Sequence, residues 1–77
     1  MTWTFELSAT QTHLFFQRVL QVFETQRVNI RSFTGESSQN TITITVRFDC
    51  EVQHAYRIEA LLHRLSGMDT ITVQCHP

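Results

Sequence analysis

Four histidines and two cysteines are the side chains in this 77-residue sequence that most invite a chemical role. Imidazole and thiolate groups are common ligands of zinc and copper. Cys50 ends one predicted strand, and Cys75 and His76 end another. A third strand is expected between these two, which sets their ends about 10 Å apart, because neighbouring strands lie about 4.8 Å apart. This separation is too large for a compact metal site or a disulfide, so we predict neither.

The other titratable residues show no spacing typical of catalysis. His54 and His63 lie on different sides of a predicted helix, where we expect both to be solvated. His13 lies in a loop, either as a ligand contact or as an ordinary polar loop residue. The seven acidic residues are scattered singly, and no nucleophile is spaced to meet a base. The chain is therefore predicted to be non-catalytic.

Composition limits the remaining classes of function. With 42% hydrophobic and 17% charged residues, the sequence is typical of a globular protein, and its length predicts one domain, residues 1–77. Such short chains often gain stability by oligomerising. A net charge of −1 argues against binding nucleic acid or an anionic membrane. The sequence shows no signal peptide or membrane span, which predicts a cytoplasmic protein with reduced cysteines.

Hydrophobic periodicity predicts six elements in the order strand, helix, strand, strand, helix, strand. Apolar and polar residues alternate over residues 2–8, 28–33, 41–48 and 70–74. Helical periodicity covers residues 12–26, with Leu20 in the buried stripe, and a second helix runs from an Asp49 cap to about residue 65. Residues 35–40, "GESSQN", have the composition of a turn. A change of phase near Arg31 and Ser32 predicts a β-bulge.

This order predicts an α+β, ferredoxin-like βαββαβ fold. Its four-stranded antiparallel sheet has the strand order 4-1-3-2, with both helices on one face and strands 2 and 4 at the edges. The open face is rich in threonine and has no aromatic residue for stacking bases, which argues against RNA binding. The loop after strand 1 lacks the Cys-x-x-Cys of metal-transfer domains and the arginine of acylphosphatase-like enzymes.

The second strand is expected to pair with a second copy of the chain. It is an apolar edge without lysine or proline, the residues that commonly block strand pairing. Antiparallel pairing of two such edges would make a homodimer with a continuous eight-stranded sheet. The candidate interface consists of Val28, Asn29, Ile30, Arg31, Ser32 and Phe33.

Two segments resemble the ACT domain of acetolactate synthase small subunits. In "RVLQVFETQRVNIRSF", residues 18–33, the matching positions are Arg18-Val19, Phe23 and Asn29-Ile30. In "LLHRLSGMDTITV", residues 61–73, they are Leu62, Leu65 and Asp69. Since almost no tail follows the single domain, the chain looks most like the short, isozyme II type of small subunit.

The resemblance implies a non-catalytic regulatory subunit of branched-chain amino-acid biosynthesis. Its partner would be the catalytic large subunit, which carries thiamine diphosphate, magnesium and FAD, whereas this chain would carry no cofactor. In the family an amino acid such as valine binds at the dimer interface, between the first strand–helix loop of one copy and the start of strand 2 of the other. The corresponding effector-binding residues here are Gln11, Thr12, His13, Leu14, Asn29 and Ile30.

The sequence departs from the family at three of the relevant positions. Valine-responsive relatives have asparagine and, three residues later, glycine in the loop, where this chain has Gln11 and Leu14. Arg27 stands in place of a turn glycine. Glycine allows a ligand to approach the backbone closely, so a weak or absent valine response is predicted. Leu14, Arg18 and Tyr56 are the candidate residues for docking on the catalytic subunit.

Two other functions remain open at this point. The chain could be a free-standing ACT sensor that binds an amino acid and regulates another protein, or a dimerisation module without a ligand. Binding to the synthase would distinguish the regulatory subunit from the sensor and the dimerisation module.

Overall fold

The computed structural model describes residues 1–76 and contains six elements in the predicted order. They are β1 (Thr2–Thr10), α1 (Phe15–Thr25), β2 (Asn29–Ser38), β3 (Thr41–Asp49), α2 (Val52–His63) and β4 (Met68–His76). The strands form one antiparallel sheet in the order β2-β3-β1-β4, which is the predicted order read from the other edge. The ferredoxin-like fold is therefore confirmed. Neither helix is long and apolar enough to cross a membrane.

The core lies between the sheet and the helices, because alternate strand residues face the buried stripe of each helix. Three phenylalanines form its centre. Phe5 and Phe48 pack edge to face with ring centroids 4.9 Å apart, and Phe23 of α1 meets Phe48 at 5.0 Å. Leu20, expected in this buried stripe, is 37% exposed, since it lies at the margin of the helix face that contacts the sheet.

The second strand is longer than the sequence predicts. Residues 35–38 were expected to form a turn but continue β2 against β3, and only Gln39 and Asn40 form the connection. The polar side chains of residues 35–38 are tolerated in the strand because this edge of the sheet is exposed. Gln39 turns the chain with a φ of 55°. Gly35 fits under α1, since an added Cβ there would collide with the ring of Phe16.

The predicted β-bulge is confirmed, because the register of β2 against β3 shifts between Ile30 and Ser32. The predicted Asp49 cap is wrong. Asp49 belongs to β3, and α2 begins after Glu51, which makes no side-chain capping bond. The Asp49 carboxylate instead accepts hydrogen bonds from other strands, including one from Thr2 Oγ1 at 2.7 Å.

Candidate functional site

The loop between β1 and α1, residues 11–14, is fixed between two neighbouring turns. The Thr10 amide donates to the Gly67 carbonyl at 2.9 Å, and the Gln11 amide donates to the Asn40 carbonyl at 2.8 Å. Gly67 has a φ of 93°, and an added Cβ would lie 2.8 Å from Thr12 Cγ2. The course of this loop is therefore set by the ends of three strands.

Leu14 has a backbone conformation that favours glycine. Its φ of 60° and ψ of 29° are left-handed, and its side chain is 51% exposed. Arg27, in the connection from α1 to β2, has a φ of 58°. Both residues occupy positions where the resemblance implies glycine. The backbone at both positions thus has a conformation that glycine adopts more readily than leucine or arginine.

The loop leads into the amino-terminal end of α1, where unpaired amides attract anionic groups. Leu14 precedes the first helical residue and offers no side-chain cap. Thr12 Oγ1 lies buried nearby without a hydrogen-bond partner in residues 1–76. His13 is exposed beside it. The amino-terminal end of α1 could therefore attract a carboxylate, but Thr12 Oγ1 is buried away from it, and the Leu14 side chain takes up the space that glycine would leave open.

The other predicted half of the site lies at the opposite end of the sheet. Asn29 pairs with Asp49, which pairs with Thr2 at the start of β1. The loop follows the far end of β1, about 27 Å away for eight strand residues. One copy of the chain therefore does not bring Asn29 and Ile30 to residues 11–14. A site that uses both groups needs a second copy.

Antiparallel pairing of two β2 edges would supply that second copy in the right place. It would set the start of one β2, with Asn29, beside the end of the other, near Ser38. That end already adjoins the loop, since Ser37 Oγ lies 3.5 Å from Gln11 Oε1. The geometry of β2 is thus compatible with a site shared between two copies.

The residues at the start of β2 are held by Asp49. Its carboxylate accepts hydrogen bonds from Arg31 Nε at 2.8 Å and from Asn29 Nδ2 at 3.1 Å. The hydrogen bond from Thr2, followed by the one from Arg31, lowers the pKa of Asp49 below its ordinary value. Because the Asn29 amide is engaged in this way, a ligand would have to compete with Asp49 for it.

The predicted dimer interface is an exposed edge, although it is better guarded than its sequence suggests. Ile30 and Phe33 are half-buried, whereas Ser32 and the residues beyond Phe33 are exposed. The bulge places Arg31 on the edge as a charged residue, and both features discourage strand pairing. The change of phase near Arg31 and Ser32, which predicted the bulge, therefore also indicates that this edge is protected against strand pairing.

The candidate docking residues do not form one surface. Leu14 and Arg18 are exposed near the loop. Tyr56 is 59% exposed, but its ring packs on Trp3 with centroids 6.3 Å apart, and Trp3 lies near the opposite end of the sheet. A partner that covers Leu14 and Tyr56 together would have to extend along the whole helix layer.

The histidines and cysteines are distributed across the molecule. No group of three or more His, Cys, Asp or Glu side chains within residues 1–76 could hold a metal ion. His54 was expected to be solvated, but it is half-buried and its Nε2 lies 3.2 Å from Gln26 Oε1, joining the two helices. Burial raises the pKa of the Cys50 thiol, which disfavours the reactive thiolate.

Sequence reasoning missed a shallow depression of about 240 Å³ on the open face of the sheet. Cross-strand pairing places the lining residues of β2 and β3 side by side, so the depression can be recognised only once the register of the two strands is known. Its single charged group is Glu36, and the other lining residues are Thr34, Gly35, Thr43 and Thr45.

No protein-family model matches the sequence, and no curated protein matches it. Solved structures do match. The ACT domain of a GTP pyrophosphokinase from Chlorobium tepidum has a TM-score of 0.88 at 12% identity, over 96% of this chain and 97% of that one. A formyltetrahydrofolate deformylase from Pseudomonas putida KT2440 matches with 0.82 at 16% identity. That match covers 99% of this chain but 29% of the deformylase, so the chain spans under a third of that protein. At such low identities the similarity establishes the fold alone: the chain has the ferredoxin-like fold found in ACT domains.

Proposed function

We propose that the chain is a regulatory subunit of acetolactate synthase that binds the catalytic subunit and raises its activity. The observation that carries this proposal is the left-handed backbone at Leu14 and Arg27. The resemblance implies glycine at both positions: in the effector loop of valine-responsive small subunits of that enzyme, and in the turn before strand 2. The ACT-like fold and the matching residues from Arg18 to Ile30 support the same assignment.

The action of such a subunit is conformational. Thiamine diphosphate, magnesium and FAD would be carried by the catalytic subunit, and this chain would contribute no reacting group. A subunit that binds the active conformation more tightly than the inactive one increases the active population. A tenfold preference corresponds to about 1.4 kcal/mol, which one or two well-packed interface residues can supply.

The effector response is proposed to be weak or absent. In a pair joined through β2, a small amino acid would enter between the loop of one copy and Asn29 of the other. The Leu14 side chain projects from the loop at the position where glycine would allow close approach. Asn29 is already hydrogen-bonded to Asp49. Both features lower the affinity expected for valine.

Reconstitution tests the proposal directly. The purified chain is mixed with an acetolactate synthase catalytic subunit, and association and acetolactate formation are measured with and without valine. We expect stable association, increased activity and little inhibition by valine. If the chain neither associates with the catalytic subunit nor changes its activity, the proposal is wrong.

A second candidate is a free-standing amino-acid sensor. The amino-terminal end of α1 beside the loop favours it, because helix amides without a side-chain cap are suited to a bound carboxylate. Calorimetry of the chain with each of the twenty amino acids separates the two functions. Tight binding of one amino acid without affinity for the synthase would support the sensor.

A further inference from the structure

The shallow depression on the open face of the sheet lies over a square of four side chains from two paired strands. Thr34 of β2 faces Thr45 of β3, and Glu36 faces Thr43 in the next row. Gly35, between Thr34 and Glu36, adds backbone to the lining. The volume of about 240 Å³ is smaller than the roughly 300–1,000 Å³ of sites for drug-sized molecules, which indicates a small ligand.

Glu36 is the charged residue of this lining, and no cationic side chain neutralises it. The ion pairs within residues 1–76 are Arg31–Asp49 and His63–Glu59, so the Glu36 carboxylate takes part in neither. An ionised carboxylate accepts hydrogen bonds but donates none, and its hydrogen bonds to charged donors are the stronger ones. The lining therefore favours a ligand that carries both a positive charge and N–H donors.

The threonine hydroxyls supply further hydrogen-bond acceptors beside this carboxylate. Thr34 Oγ1 donates to the Thr45 carbonyl oxygen at 3.5 Å, which leaves the lone pairs of that hydroxyl available as acceptors. Thr45 is half-buried, whereas Thr34 and Thr43 are exposed beside it. A primary ammonium group has three N–H donors and no acceptor, so one carboxylate and two hydroxyls match it.

Two further charged residues flank the depression on the same face. Glu6 of β1 pairs with Thr45 on the side away from β2, which adds a second negative charge next to the threonines. Arg47 follows Thr45 by two residues on β3 and so lies on the open face as well. Within residues 1–76 Arg47 takes part in neither ion pair. A carboxylate on a bound ligand would thus have Arg47 as its cationic neighbour.

We propose that this depression binds the ammonium group of a small primary amine, with the Glu36 carboxylate as counter-ion and the hydroxyls of Thr43 and Thr45 as further acceptors. The site goes beyond the proposed function, because it requires neither the loop after β1, nor a second copy, nor the catalytic subunit. Two sources share this ammonium chemistry: a simple amine, and an amino acid whose carboxylate is directed towards Arg47.

Nuclear magnetic resonance titration of the full chain tests the inference. Three probes are added separately: ethanolamine, serine and tetramethylammonium, which has the same charge as an ammonium group but no N–H donor. The amide and methyl signals of Thr34, Thr43 and Thr45 report binding, and the rest of the spectrum shows whether each variant is folded.

Two pairs of variants separate the site from the general charge of the surface. Glu36→Gln removes the counter-ion, and Glu24→Gln is its control, because Glu24 is also exposed but lies on α1. Thr45→Val removes a lining hydroxyl and keeps the shape of the side chain. Thr70→Val is its control, since Thr70 lies on the open face of β4, where it pairs with Ser8.

We expect ethanolamine to cause saturable shifts at the three threonines and tetramethylammonium to cause none. Glu36→Gln should weaken ethanolamine binding by about tenfold or more, and Glu24→Gln by less than about twofold. Thr45→Val should weaken binding more than Thr70→Val. Equal shifts with tetramethylammonium, equal losses in the two glutamine variants, or shifts that do not saturate would overturn the inference.

Comparison of serine with ethanolamine identifies the source of the ammonium group. If serine binds more tightly, and Arg47→Gln removes that difference without weakening ethanolamine binding, the site is one for amino acids. If serine binds no more tightly than ethanolamine, the site is one for simple amines. Both results support ammonium binding, whereas binding of neither compound refutes it.

Discussion

The left-handed backbone at Leu14 predicts an inversion of the usual order of stability between alanine and glycine. Inside a helix, glycine is less stable than alanine by about 1 kcal/mol. At a φ of 60°, a residue with a Cβ is disfavoured by about 1–2 kcal/mol, and glycine avoids this cost. The greater freedom of glycine in the unfolded chain offsets about 0.4–1 kcal/mol. The Leu14→Gly variant should therefore be more stable than Leu14→Ala by roughly 0.8 kcal/mol, the difference between the midpoints of these two ranges.

The comparison of two variants removes the contribution of the leucine side chain itself. Leu14 is half exposed, so both variants lose nearly the same partial burial relative to the unmodified chain, and they differ only by the Cβ methyl group. Leu20 provides the matched control, since it is also partly exposed but lies in the regular interior of α1. At Leu20, glycine should be less stable than alanine by about 1 kcal/mol.

Urea and thermal unfolding measure both pairs of variants. For a domain of this size, a difference of about 0.8 kcal/mol corresponds to roughly 3–6 °C in Tm. If Leu14→Ala equals or exceeds Leu14→Gly in stability, Leu14 is not left-handed in solution, and the comparison with the glycines that the resemblance implies fails. The Leu14→Gly variant should also bind valine more tightly than the unmodified chain, which calorimetry can measure.

Two further perturbations follow from the structure. Gly35→Ala should destabilise the fold by about 1–3 kcal/mol, because the added Cβ collides with the Phe16 ring. The double variant with Phe16→Ala should be destabilised by less than the sum of the two single changes. Strict additivity of the two destabilisations would show that the Phe16 ring does not lie over Gly35. Asp49→Asn should destabilise the protein near neutral pH, because hydrogen bonds from Thr2 and Arg31 lower the pKa of Asp49 and favour its charged form. The stability contributed by a carboxyl with a lowered pKa is present above its unfolded pKa and is lost as pH falls through the folded pKa. The gap between the unmodified chain and Asp49→Asn should thus narrow below about pH 4, and a gap that is constant with pH would contradict this account.

The fold was predictable because its signals are periodic and redundant. Strand alternation and two helical stripes determine the order of the elements, and the handedness of βαβ connections determines the sheet. The bulge was also predictable, because the three-residue spacing from Ile30 to Phe33 does not place both residues on one face of a regular strand. The turn predicted for residues 35–38 from their composition is wrong, because polar residues and a glycine are tolerated in an exposed edge strand that still pairs with β3.

The candidate site was only partly predictable, because its parts are joined by the register of the sheet. The sequence located the loop and the start of β2, but the separation of about 27 Å between them follows from the length of β1. The role of Asp49 could not be predicted from its position before a helix, where capping is the common alternative. Its carboxylate is directed to Thr2 and Arg31 by strands that are distant in sequence.

The two fixed hydrogen bonds of the loop explain how the side chain at position 14 can change without loss of the fold. Thr10 and Gln11 are tied to Gly67 and Asn40, so the chain must turn within residues 11–14 to enter α1. The left-handed conformation at Leu14 is imposed by these constraints, as strained residues persist where their surroundings over-determine them. Replacing glycine by leucine there would cost about 1–2 kcal/mol but leave the sheet and helices in place. The fold therefore accommodates either residue at position 14, which is the structural condition for the weak valine response that we propose.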